Sequence, residues 1–163
     1  MEALTSPVLE GEDAVWLRHS ESLPAAARGT ARQLAHRIGL LPERVAEVGV
    51  AVSEAATNLL RHAADGAMVL RVVRTDTEAA LEFVTVDSGP GMTDVPGALA
   101  DGYSSDGTLG IGLGAIARLA DTFDLHSLPG RGTVLVARFW NRTPAAATPP
   151  PRASPSPPAS PAR

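Results

Sequence analysis

The chain has 163 residues, 44% of them hydrophobic but only 4% aromatic, so one domain can bury a core built mainly from Val, Leu, Ile and Ala. Its net charge of -4 gives no basic footprint for nucleic acid, and the lack of cysteine excludes disulfides, thiolate chemistry and Cys-based zinc sites. All 14 basic residues are arginine, which excludes a P-loop, the strand lysine of eukaryotic protein kinases and Schiff-base catalysis. The first residues lack the basic and apolar regions of a signal peptide, and no apolar run reaches the ~18 residues of a membrane span. The reading is of a cytoplasmic protein with neither a membrane nor a nucleic-acid partner.

In chain order, residues 1–12 read as a loose lead-in and 14–18 as a short strand. Ala27, Ala31, Leu34, Ala35 and Ile38 recur at helical spacing, predicting a helix over 23–38 that Gly39 stops. Pro42 suits the first turn of a second helix, running to about His62, with Val45, Val48, Val52, Ala56 and Leu59 as its core stripe. Residues 67–74 and 79–87 predict a hairpin of two antiparallel strands. A short helical turn is expected over 96–100, followed by a polar, glycine-punctuated lid over 101–109. A helix over 113–122 and two strands, 123–127 and 133–140, complete a domain spanning 13–140. Residues 141–163 form a disordered tail or linker, since eight of the 14 prolines fall within 144–161 and the segment has little to bury.

The chemistry concentrates in four places. Glu54 and Asn58 lie four apart, one turn above the other on one helix face, with His62 continuing the line. A carboxylate and an amide so stacked suit a general base beside a Mg²⁺ ligand, because magnesium favours hard oxygens and keeps several waters. Alone, the same pair is more often the solvated edge of a surface helix. Asp87, at a strand end before Gly89 and Gly91, suits acceptance from an exocyclic amine such as that of adenine; it equally suits a turn cap. Gly110, Gly112 and Gly114 open a helix whose unpaired N–H groups and dipole favour phosphate. Gly130, Gly132 and Thr133 form either a plain hairpin turn or a support for the Asp87 end of a base pocket. The run from Gly110 to Ala115 also matches the dinucleotide pattern of a Rossmann fold, but a polar loop precedes it where a strand is required, and no acid follows ~20 residues later. That reading is rejected.

In this order, Glu54-x-x-x-Asn58, Asp87-x-Gly89-x-Gly91, Gly110-x-Gly112-x-Gly114 and Gly130-x-Gly132-Thr133 resemble the N box and the three glycine boxes of the GHKL ATPase superfamily. Within it, Asp87-Ser-Gly-Pro-Gly-Met92 and Gly110-Ile-Gly-Leu-Gly114 are especially similar to the serine kinases of the anti-sigma-factor and switch-protein branch, above all the RsbT type. The resemblance covers about residues 13–140. It implies a Bergerat fold, a two-layer α/β sandwich in which a mixed sheet carries helices on one face. It further implies an ATP-dependent protein-serine kinase using ATP and Mg. Glu54 would be the base, Asn58 the metal ligand, and Asp87 the adenine reader. Gly89, Gly91, Gly110, Gly112, Leu113, Gly114 and Thr133 complete the nucleotide site by the same resemblance. The implied partner is a STAS-domain anti-anti-sigma or antagonist protein, with a sigma factor or a phosphatase as further partners. Anti-sigma relatives dimerise, so a homodimer is among the expectations. The alternative is a non-catalytic ATP-binding module that grips such a partner, or the N-terminal domain of a SpoIIE-type phosphatase joined through the Pro-rich segment.

Overall fold

A computed structural model of the protein describes residues 10–100 and 112–142. Its elements are β1 (Glu10–Arg18), α1 (Leu23–Arg37), α2 (Pro42–His62), β2 (Gly66–Arg74), β3 (Ala79–Asp87), α3 (Val95–Leu99), α4 (Gly112–Leu119), β4 (Thr122–Leu128) and β5 (Gly132–Asn141). The strands form one sheet in the order β1-β2-β3-β5-β4. Every ladder among the described residues is antiparallel, where a mixed sheet was expected. The reason is the route of the chain: after β3 it crosses the helical layer to edge strand β4, then turns back through β5 into the space beside β3.

The helices cover one face, giving the expected two-layer α/β sandwich. Alternation along β2 sends Met68, Leu70 and Val72 inward, while Leu81 and Phe83 come from β3 and Leu135, Ala137 and Phe139 from β5. They meet Ala27, Ala31 and Leu34 of α1, Val48, Val52, Ala56 and Leu59 of α2, and Ile116 of α4. The predicted α2 stripe is therefore the core stripe, with Val45 packed at its border. Small alanines on α1 and α2 let the two helices lie close over the sheet, consistent with the scarcity of aromatics. On the opposite face Trp16 is 70% exposed, and Glu82, 1% exposed, is clasped by Arg71 and Arg138 in the same cross-strand row.

Two boundaries differ most from expectation. β1 begins at Glu10, inside the stretch read as a lead-in, because its backbone pairs with the far end of β2 (Glu10 opposite Arg74) across a bulge between Glu12 and Val15. The polar side chains there carry no alternation to announce a strand. α4 stops at Leu119 instead of Thr122. The Asp121 N–H donates to the Arg138 carbonyl, and the Asp121 carboxylate accepts from the Trp140 N–H and from Arg44, drawing that segment into the sheet. Arg44 also donates to the Leu119 carbonyl at the α4 terminus and lies over the Phe139 ring. Burial lowers this guanidinium's proton affinity, but the bonds to Glu47 and Asp121 outweigh it and raise its pKa. Finally, the expected lid (101–109) and Gly110 lie outside the described residues.

Candidate functional site

The site is built where the ends of β3, β4 and β5 meet the C-terminal half of α2 and the start of α4. Asp87 is the last residue of β3, paired with Thr133 on one side and Gly66 on the other. Its Oδ1 accepts from the Gly89 N–H at 2.8 Å, which fixes the carboxylate as a turn cap. Asp87 Oδ2 has no partner among the described residues, so the turn cap engages only one of the two carboxylate oxygens.

The glycines after Asp87 are set by close approach. Gly91 has φ +69°, and a Cβ there would overlap the Leu128 carbonyl; Gly132 has φ +110°, and a Cβ there would overlap the Asp87 carbonyl. Gly89 is buried against the end of α2, where a Cβ would come within 2.7 Å of the His62 carbonyl oxygen. The loop after β3 is thereby pressed onto both the turn between β4 and β5 and the helix end. Hydrogen bonds lock the corner: Gly130 N–H to the Pro90 carbonyl at 2.7 Å, and Met92 N–H to Ser127 Oγ at 2.8 Å. Ser127 Oγ also shares a 2.8 Å hydrogen bond with Thr133 Oγ1. Thr133 is tied to the Asp87 end by ladder pairing and to the Met92 loop through Ser127. Ser127 escaped the sequence reading. Its signal is slight: a hydroxyl at the position where the alternation of Phe123 and Leu125 calls for another apolar side chain.

Glu54 and Asn58 lie on α2, both half-buried. Glu54 Oε2 accepts from the Gly112 N–H at 3.3 Å, tying the candidate base to the first residue of α4. Leu113 and Gly114 continue that first turn, where N–H groups lack intrahelical partners and the dipole favours an anion. Asn58 has no hydrogen-bond partner among the described residues, and neither does Asp87 Oδ2. A partly buried amide and a carboxylate oxygen without partners among the described residues, together with a helix start whose dipole favours an anion, are of a chemistry that fits a purine nucleotide with its magnesium. Among the described residues no cluster of three His, Asp or Glu forms a self-sufficient metal site.

Residues 18–139 match the model of the Histidine kinase-like ATPase domain. The chain belongs to that family. It is 35% identical over 117 residues to the serine/threonine-protein kinase RsbT of Bacillus subtilis (strain 168), covering 72% of this chain and 88% of that relative. It is also 29% identical over 99 residues to an anti-sigma F factor of Caldanaerobacter subterraneus subsp. tengcongensis, covering 57% of this chain and 68% of that one. Within its family the chain falls in the RsbT-like branch.

Proposed function

We propose that the protein is an ATP-dependent protein-serine kinase of a partner-switching pathway, acting in the cytoplasm on a serine of a STAS-domain partner. The observation that carries this reading is the Glu54 carboxylate, held at the opening of α4 and one helical turn from Asn58, which has no hydrogen-bond partner among the described residues. When bound, Mg·ATP supplies the γ-phosphoryl group. Asp87 Oδ2 accepts a hydrogen bond from the adenine amine while Oδ1 stays on Gly89. Asn58 offers its oxygen to magnesium, and the N–H groups of Gly112, Leu113 and Gly114 face phosphate. Glu54 takes the proton from the attacking serine hydroxyl, a role in which a positioned carboxylate contributes ~10²–10⁴ in rate.

Two measurements test this. Mg·ATP at ~100 Kd adds ~2.7 kcal/mol of stability and raises Tm by several degrees; Asp87→Asn should remove that shift, because its amide can present a donor to the adenine amine, and GTP should give little shift in the native protein. Glu54→Ala should keep most of the ATP shift and lose serine phosphorylation. The name of the second relative, an anti-sigma factor, favours a companion reading in which partner binding alone is regulatory. Partner control that survives Glu54→Ala intact would select it over the kinase.

A further inference from the structure

The helix-facing side of the sheet changes character at the end nearest the proposed base pocket. Phe83, Ala137 and Phe123 form one cross-strand row of the core, and Leu135 and Leu125 belong to the next. Two residues further along each strand, the row is Asp87 on β3, Thr133 on β5 and Ser127 on β4, directly opposite one another. Side chains at this spacing share the side of the sheet that the core rows occupy. A carboxylate and two hydroxyls therefore stand in line where the apolar core ends. The nucleotide reading above uses Asp87, with Thr133 beside it, and leaves Ser127 only a tether.

The protons around Ser127 can be counted. Its Oγ accepts from the Met92 N–H at 2.8 Å and has two further neighbours, Thr133 Oγ1 at 2.8 Å and the Gly132 carbonyl at 3.3 Å. A hydroxyl has a single proton to donate. Thr133 Oγ1 lies within the ~2.5–3.0 Å of an O–H···O bond and the Gly132 carbonyl outside it, so the Ser127 proton goes to Thr133. Thr133 Oγ1 then accepts, and its own proton is left without a partner among the described residues. Beside it, Asp87 Oδ1 is held by the Gly89 N–H, and Oδ2 has no partner among the described residues. The row thus sets an acceptor, Asp87 Oδ2, next to a donor, the Thr133 hydroxyl. Adenine carries the complement on adjacent atoms, a donating 6-amine and an accepting N1. Guanine and hypoxanthine carry the reverse, an accepting O6 and a donating N1–H. We propose that Ser127 is a positioning residue for base specificity: by donating to Thr133 it fixes that hydroxyl as a donor and disfavours 6-oxopurines. The claim rests on the nucleotide reading of this site and is independent of phosphoryl transfer.

Calorimetric titration of the full chain with Mg·ATP and with Mg·ITP (inosine triphosphate) reads this, because hypoxanthine matches adenine in size and differs only at N1 and the 6-substituent. The native protein should prefer ATP by on the order of 10²-fold or more. Ser127→Ala should narrow that ratio by on the order of tenfold, since the Thr133 hydroxyl is then free to turn and accept from N1–H. Ser127→Thr restores a hydroxyl at a strand position that suits β-branching and should recover the ratio. Thr133→Val should narrow it as Ser127→Ala does, and combining the two should narrow it no further, because both act through one proton. A merely structural Ser127 would lower Tm and weaken ATP and ITP alike. An unchanged ratio in Ser127→Ala, no recovery in Ser127→Thr, or effects of the two variants that multiply would each overturn the proposal. Failure of the nucleotide reading looks different: the native protein binds neither ATP nor ITP and shows no Tm shift with either, which removes both claims. The expected ratios without phosphorylation of any serine would sustain the specificity role and count against the kinase reading alone.

Discussion

The two ends of the proposed nucleotide site are held in different ways. At the Asp87 end, the loop after β3 is pinned by the ladder pairing of Asp87 with Thr133, by hydrogen bonds from Gly89, Gly130 and Met92, and by two glycines whose backbones touch neighbouring carbonyls. At the α4 end, a single 3.3 Å bond joins Gly112 to Glu54 among the described residues. The first end is a preformed slot, paid for by the folding of the sheet. At the second, Ala115 and Ile116 anchor α4 in the core, and one carboxylate bond is the hydrogen bond that ties the helix start to α2 among the described residues. A flat base needs a rigid wall to be discriminated, whereas phosphate and a protein substrate must enter and leave.

The largest effect should come from Gly132→Ala. It places a Cβ into the Asp87 carbonyl at φ +110°, and β5 cannot withdraw without breaking its ladder with β3. A loss of about 3 kcal/mol or more is expected, read as a large fall in Tm together with loss of the ATP shift. If this variant melts like the native protein, the corner is softer than its contacts imply. Ser127→Ala comes next. It removes the acceptor of the Met92 N–H and the partner of Thr133, which at ~1–3 kcal/mol for a stranded, partly buried group should lower Tm by a few degrees. ATP affinity should weaken with it, because the loop carrying Gly89 and Gly91 loses its tether. A Tm change without an affinity change would separate the slot from the nucleotide.

Much of this contrast is legible in the sequence, but unevenly. Local signals fixed α2, from Pro42 to His62, and the hairpin of β2 and β3, because periodicity, a proline and a turn each act within a few residues. The order of the glycine boxes marks out both ends of the candidate site. The insertion of β5 between β3 and β4 is a long-range choice that no short window encodes, and with it goes the meeting of Gly132 with Asp87. The same holds for Asp121, whose helix-ending role depends on Arg44, Arg138 and Trp140, residues 17 to 77 positions away.

The smallest stability effect should fall on the α4 end, and it needs two variants to be read. Glu54→Gln retains an amide oxygen to accept from Gly112 and should leave stability within ~0.5 kcal/mol of native. Glu54→Ala loses that bond as well, and a long, partly exposed hydrogen bond is worth at most ~1 kcal/mol. Both variants lack the base, so both should lose phosphoryl transfer by on the order of 10²–10⁴ while their stabilities stay within a degree or two of each other. That separation is what the looser end predicts: catalysis depends on the carboxylate, whereas the fold barely does. A steep fall in Tm for Glu54→Ala alone would reverse it, making the Gly112 bond a structural anchor and both ends of the site preformed alike.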